Sequence, residues 1–475
     1  MSANARVHDV VVIGAGIVGS AIARRLAGFE LSVALLDEKP DVGDGTSKAN
    51  TAILHTGFDA KPGTLESKMV HQGYTLLAEY ATQTGIPVER TGAVLVAWDE
   101  EQRDALPGLQ KKAADNGYDR TEIITAEEVY AVLPNLGEGV VAGLTVPDES
   151  IICTWTTNLA LATDAVQRGV TLLLARRVEG VARRADVTEL VTSQGPVLAR
   201  WVINAAGLGG DIIDRMFGYD RLTITPRRGE LLVYDKQARP LVNKIVLPVP
   251  TARGKGVLVS PTIYGNVMLG PTAEDLDDRT QTGTSEDGFN FLLGKGKQLM
   301  PRLLDEEVTA TYAGLRAASD QPDYLVDADS TERYVIAGGI RSTGLTSGMA
   351  VAEHIVTLLR QSPLELTERT DLPAPPRMPN IGEAFLRPYQ DTRRIAEDPA
   401  YGRVVCFCER VTAGEIRDTF SSPIPPCNLE GLRRRTRAHN GRCQGFFCGA
   451  EVTELLNTRG ARVEASSISD QERVR

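Results

Sequence analysis

The 475-residue sequence has little that would anchor it, staple it or coat it with positive charge. Aromatic residues make up only 5% of it and histidine occurs five times, so ring nitrogens for proton transfer come from a short roster. No apolar run reaches the ~18 residues that a membrane-crossing helix needs, and the chain is expected to be cytoplasmic and without spans. The stretch after Arg6 is apolar like a secretory signal, but regularly spaced glycines interrupt it. Lys and Arg number 52 against 62 Asp and Glu, a net charge of −10. That balance argues against nucleic acid as the main partner, because phosphate binding calls for a basic surface. No HExxH, no interpretable Ser/His/Asp set and no glycosidase-like carboxylate pair stands out. Six cysteines, five of them between residues 406 and 448, suit a metal or redox site in a reducing compartment better than a disulfide scaffold.

What is present is globular: 42% apolar and 24% charged residues, over a length that suggests two or three domains. Glycine is plentiful, 45 of 475 residues, which favours tight turns and close approach of backbone to ligand. The charge is uneven. From Tyr401 to the end there are 12 Arg, no Lys and 9 acids, so a net-positive tail follows an acidic body.

His8–Ile13 (HDVVVI) reads as a buried parallel strand. Gly14, Gly16 and Gly19 follow it, and Ile17, Ala21, Ile22 and Leu26 then recur at helical spacing. A second strand, Leu31–Leu36, ends at Asp37. This is a dinucleotide fingerprint in its proper context: Gly14 for the turn, Gly16 to admit a pyrophosphate to the helix N-terminus, Gly19 for helix-on-strand packing, Asp37 for ribose hydroxyls. The fingerprint by itself leaves NAD and FAD both open.

The segment Gly45–Asp59 (GTSKANTAILHTGFD) is too rich in Gly, Ser, Thr and Asn for a crossover helix and reads as a ligand loop. Here the sequence resembles the glycerol-3-phosphate dehydrogenase and oxidase branch of the D-amino-acid-oxidase-like flavoproteins. Their GxSxAN…HxG segment wraps FAD and presents a histidine to the flavin. Trp201–Gly207 (WVINAAG), Arg227–Glu230 (RRGE), Lys255–Asp275, Tyr312–Arg316 (YAGLR) and Gly338–Ser347 (GGIRSTGLTS) are similar to further family segments, in the family's order, over residues 8–360. The last of them feeds a helix expected over Gly348–Leu359. The resemblance implies FAD contacts at Gly14, Gly16, Gly19, Asp37, Thr46, Ser47, Asn50, Ala206, Gly207, Gly344, Leu345 and Thr346. It also implies a catalytic group of His55, Arg316, Arg341 and Lys255. Histidine suits an alcohol proton because its unperturbed pKa is ~6.5, and a guanidinium fork matches a phosphate or carboxylate.

Residues 363–400 hold 7 of the 25 prolines and read as an extended linker. Beyond it Cys406 and Cys408 form C-x-C, and Cys443 and Cys448 form C-x4-C. This part resembles the bacterioferritin-associated ferredoxin domain, a [2Fe-2S] module found at the end of anaerobic glycerol-3-phosphate dehydrogenase large subunits. Four thiolates also suit zinc, although zinc pairs are usually spaced C-x2-4-C. Cys153 and Cys427 have no partner at ligand spacing and read as ordinary thiols. The run Arg433, Arg434, Arg435 and Arg437 reads as a solvated helix face, or else as a docking patch.

The expected fold class is α/β. A Rossmann-like FAD-binding domain (1–60, 145–225 and 330–362) interleaves with an α+β substrate domain (61–144 and 226–329). The linker (363–400), a small mainly helical [2Fe-2S] domain (401–456) and a tail (457–475) follow. The expected activity is FAD-dependent oxidation of glycerol 3-phosphate, or of a close anionic 2-hydroxy compound, with electrons leaving through the cluster to a quinone or partner subunit. Any membrane association would be peripheral, through that partner. The alternatives are an L-2-hydroxyglutarate or amino/imino-acid dehydrogenase and, from another class, an electron-transfer or iron-handling module.

Overall fold

The computed structural model describes residues 6–184, 186–250 and 256–458; Lys255 and the tail beyond residue 458 lie outside them. The chain divides into two compact units, Met1–Met378 and Pro379–Arg475.

In the first unit the apolar run after Arg6 forms the strand Val7–Ile13, buried along most of its length. It lies in a parallel array between Val33–Leu36 and Val197–Asn204; Thr171–Leu173 and Tyr334–Gly338 extend the array on either side. Val33–Leu36 and Tyr334–Gly338 are buried along their whole length and read as continuous apolar runs rather than alternating ones. Three antiparallel strands complete an eight-stranded sheet. The helix Ile17–Leu26 packs against the long helix Gly344–Leu359 and against Thr154–Gln167.

A second, nine-stranded sheet combines strands from residues 93–146 with strands from residues 224–319. Its spine is the antiparallel pair Ile224–Tyr234 and Val308–Ser319, in register from Ile224 opposite Ser319 to Val233 opposite Ala310 and shifted by one residue at Tyr234, which faces Val308. Its core of Val94, Val96, Leu232, Val259, Leu269 and Leu292 is nearly solvent-free. Two segments assigned by sequence to the substrate domain belong with the first sheet instead. Leu325–Asp329 pairs with Tyr334–Gly338. The helix Leu65–Thr84 packs on Gly344–Leu359, so closely that a Cβ at Gly73 would stand 2.2 Å from the Thr346 carbonyl oxygen.

The Pro-rich stretch is divided between the units. Residues up to 378 run along the first: Glu30 N donates to Thr367 O, Arg369 N to Gly28 O and Met378 N to Thr84 O. Residues from 379 onward fold with the second unit, where the Arg387 side chain is fully buried and donates to Glu415 Oε1 at 3.2 Å. This unit also holds a two-stranded ladder, Val404–Cys406 with Val411–Thr412, and the helices Ala413–Thr419 and Leu429–Thr436. Residues 449–458 are helical as well. Its core joins Val405, Val411, Ile416, Leu432 and Val452 to Cys406 and Cys448.

Candidate active site and thiol cluster

The three fingerprint glycines differ in what surrounds them. Gly14 has φ +105°, and a Cβ there would meet Ala205 O at 2.4 Å; at Gly19 it would meet Gly14 O at 1.8 Å. Both are glycine for the protein's own packing. A Cβ at Gly16 would meet only the Ser47 Oγ, at 3.1 Å, so the cradle beside it is spare room of the kind a pyrophosphate needs. Asp37 Oδ2 accepts from Ala15 N at 2.6 Å and Oδ1 from Lys39 N at 2.8 Å. Burial raises the Asp37 carboxyl to about 6, against the opposing pull of those two N–H groups.

The loop from Thr46 to Thr56 ties the two sheets to the helix Gly344–Leu359. At its start, Thr46 Oγ1 donates to Leu315 O, Ser47 Oγ accepts from Ile17 N, and Asn50 bridges Ser47 O and Thr154 Oγ1. Tyr312 donates to Asn50 O, and a Cβ at Gly314 would press on Ala49 O at 2.3 Å. At its end, His55 N donates to Thr346 Oγ1, and the His55 ring Nδ1 lies 3.0 Å from Glu149 Oε2. No side chain caps the first turn of Gly344–Leu359, so Gly344, Leu345 and Thr346 open a helix N-terminus suited to an electron-rich group. Ala206 and Gly207 begin a short turn just after Ala205, whose carbonyl Gly14 approaches. These residues fit an elongated dinucleotide with its pyrophosphate at Gly16.

Tyr312, Gly314 and Arg316 alternate onto one face of their strand. The Arg316 guanidinium lies across Gly229, where a Cβ would sit 2.6 Å from Nη2. It donates to Thr272 O at 3.3 Å and meets no carboxylate among the described residues. Its neighbours differ: Arg227 is paired with Asp275 and Arg228 with Glu274. Burial, then the charge of Arg227, holds Arg316 below the ordinary arginine value. Arg341 is less free, lying 3.9 Å from Glu66 Oε2 and donating to Pro322 O.

In the second unit the four sequence-selected cysteines come together. All four are free thiols; the Cys408 thiol is hydrogen-bonded with that of Cys443, and the Cys448 thiol with that of Cys406. Four cysteines gathered in this way supply the ligand number of a two-iron centre. The N–H groups of Phe447, Gly445 and Phe446 point at the Cys443 sulfur and, with the Phe447 bond foremost, pull its thiol below the ordinary value; burial pushes Cys448 up to about 12. Gly441 and Gly445 make this possible: a Cβ would fall 2.2 Å from the Cys408 Cβ at the first and 2.6 Å from the His439 ring at the second. Phe407, Phe446 and Phe447, next to these cysteines, are exposed.

One sequence reading fails here. The arginine run is neither a solvated face nor a patch, since Arg434, Arg435 and Arg437 are buried. Arg435 donates to Ile424 O and Gly431 O, and Arg437 pairs with Glu409 at 2.7 Å. Cys153 is a free thiol, as read from the sequence; it accepts from Thr156 N at the start of the helix Thr154–Gln167 and is hydrogen-bonded with Tyr264. Sequence reasoning also missed Glu149. It lies 94 positions from His55 in no motif, and only the pairing of Ile53 with Ile151 and Leu54 with Ser150 brings the two together.

Among the described residues no helix is long and apolar enough to cross a membrane. Residues 9–358 match the DAO family, FAD dependent oxidoreductase, and residues 404–458 match the BFD-like [2Fe-2S] binding domain. The chain is similar to a glycerol 3-phosphate dehydrogenase of Caloramator mitchellensis, 33% identical over 97% of this chain and 96% of the relative. It is also similar to one of the subunits of the anaerobic glycerol-3-phosphate dehydrogenase of Escherichia coli (strain K12), 26% identical over 97% of this chain and 90% of that protein. The solved structure of L-alpha-glycerophosphate oxidase from Mycoplasma pneumoniae with FAD bound superposes with a TM-score of 0.75, at 28% identity, covering 79% of this chain and 100% of that one. A cradle at Gly16, an uncapped helix at Gly344, four converging thiols and these matches make the chain a member of the FAD-dependent oxidoreductases of the DAO family, carrying a BFD-like [2Fe-2S] binding domain.

Proposed function

We propose that this enzyme oxidises glycerol 3-phosphate, with electrons leaving through the C-terminal [2Fe-2S] centre to a quinone or a partner subunit. The observation that carries the substrate reading is Arg316: a half-buried guanidinium without a carboxylate partner, on the strand face against which the His55-bearing loop packs. A buried cation left unanswered is costly unless an anion answers it, and a phosphate fits its fork. Relatives that act on glycerol 3-phosphate by name, spanning both units, support the same choice.

FAD, bound along Gly14–Gly19, Asp37 and the Thr46–Asn50 loop, supplies a two-electron acceptor for the hydride of the alcohol carbon. The protein's part is to hold the phosphate on Arg316 and to take the alcohol proton on His55. Arg341 is a second anion contact, in competition with Glu66. Lys255 keeps its place in the proposal from sequence alone. At the other end the exposed Phe407, Phe446 and Phe447 put the thiol cluster at the edge of its unit, which suits electron exit to a docked acceptor.

Anaerobic mixing of the purified enzyme with glycerol 3-phosphate, and separately with L-2-hydroxyglutarate, tests the reading. The flavin absorbance is expected to bleach with the first and to persist with the second. Bleaching by L-2-hydroxyglutarate alone would replace the substrate assignment.

A further inference from the structure

Glu149 is fully buried and its carboxylate answers three donors on the segment that carries His55. Oε1 accepts from Thr56 N at 2.7 Å and from Thr56 Oγ1 at 2.9 Å, while Oε2 lies 3.0 Å from His55 Nδ1. The placement is not accidental to one side chain. Ile53 pairs with Ile151 and Leu54 with Ser150 in an antiparallel ladder, and His55 and Glu149 are the residues that directly follow and precede its last pair. The Glu149 backbone is held as well, its carbonyl accepting from Gly92 N. On the far side, Thr346 Oγ1 accepts from His55 N and fixes the backbone that carries the ring.

We infer that Glu149 is a positioning residue which fixes both the orientation and the tautomer of His55. A carboxylate only accepts hydrogen bonds. With Oε1 occupied by Thr56, Oε2 requires a proton on Nδ1, and the neutral ring then keeps its lone pair on Nε2. When Nε2 takes the alcohol proton, both ring nitrogens carry hydrogen and the ring gains a positive charge. Bound FAD would take the electron pair of the C–H bond as hydride, which balances the oxidation. Glu149 keeps its bond to Nδ1–H and offsets the new charge without accepting a proton, the role a buried carboxylate plays beside a histidine base in serine hydrolases. This rests on the reading of His55 as the proton acceptor.

Glu149→Gln separates the two ideas because it keeps shape and removes one acceptor. The amide has one oxygen; turned to Thr56 N–H it leaves its NH2 facing Nδ1, which then accepts, and the proton moves to Nε2. The holoenzyme labelled with carbon-13 and nitrogen-15 histidine, at a pH well above the ~6.5 of free histidine, reports the tautomer directly, with His55→Gln identifying the signal. Wild type is expected to show the Nδ1–H form and Glu149→Gln the Nε2–H form. Anaerobic reduction of the flavin by glycerol 3-phosphate is expected to fall ~10²–10⁴-fold in Glu149→Gln, as in His55→Gln, with bound FAD unchanged. An Nε2–H signal in wild type overturns the assignment without any variant having to fold. Slow reduction in His55→Gln beside a wild-type rate in Glu149→Gln also overturns it. Wild-type rates in both variants, with the Nδ1–H signal present, overturn the base reading and leave the tautomer assignment standing.

Discussion

A Cβ added at Gly19 would stand 1.8 Å from the Gly14 carbonyl oxygen, whereas one at Gly16 would meet only the rotatable Ser47 hydroxyl. Gly19→Ala is therefore expected to destabilise the fold by ~1–3 kcal/mol, as overpacking does. Gly16→Ala should leave the apo-protein's melting temperature nearly unchanged and lose FAD. Thermal melts and flavin content of the two variants check the contrast; a Gly16→Ala protein that keeps its flavin would deny the pyrophosphate that place. Asp37 adds a pH dependence. Its carboxyl, raised by burial to about 6, is ionised at pH 7 and neutral below that value. The raised value means that the folded apo-protein holds a proton there which the unfolded chain releases, so Asp37 opposes stability increasingly as pH rises through that window. Binding runs the other way, because the ionised form accepts best from ribose hydroxyls. FAD retention is expected to weaken as pH falls through about 6, and to lose that step in Asp37→Asn; gel filtration at several pH values with flavin fluorescence measures it. An identical step in the variant would assign it elsewhere.

Elements whose residues carry a local period were legible in the sequence, and those built by distant partners were not. The strand ending at Ile13 and the helix Ile17–Leu26 announce themselves through an apolar run, three glycines and a 3.6-residue repeat. The helix expected from Gly348 begins at Gly344, because its first turn offers a single apolar residue, Leu345, among Gly, Thr and Ser. The arginine run looked solvated since four like charges within five residues usually are, yet the carbonyls of Ile424 and Gly431 and the carboxylate of Glu409 accept from it in the core. Prolines hid the second unit's true start for the same reason: Arg387 looks like a linker residue until Glu415, 28 positions later, is seen beside it. That buried pair yields a test at this scale. Arg387→Met leaves Glu415 without its buried cation, a loss that typically costs ~3–5 kcal/mol. The second unit should lose its cluster at lower temperature than wild type while the flavin signal melts unchanged, which visible absorbance on heating separates. Equal shifts of both signals would show that Arg387 supports the whole chain.

At the scale of the molecule, two units with separate cores correspond to two kinds of chemistry, and the division at Met378 says where to cut. Ending the chain after Ser362 would strip the first unit of a strap whose backbone bonds to residues 28–30 and 84 and whose Arg369 side chain donates to Arg168 O at 2.7 Å. Ending it after Met378 keeps every one of these. The longer truncation is therefore expected to fold, to hold FAD and to be reduced by glycerol 3-phosphate at a rate near that of the full chain. The shorter one should melt earlier. Electron output is the complementary half. Replacing Cys443 and Cys448 by Ser removes half of the thiolates, one from each observed thiol pair. Reduction of the flavin by substrate should survive that change, because His55, Arg316 and the dinucleotide cradle all lie in the first unit. Turnover with a quinone or with the partner subunit should fall to the level of the Met378 truncation, whereas a small dye that takes electrons directly from the flavin should continue to be reduced. The dye arm matters, since it separates a blocked path from a damaged flavin site. If the serine variant has lost its iron and still reduces the quinone at the full rate, electrons do not travel through the C-terminal thiolates, and the cluster serves structure instead.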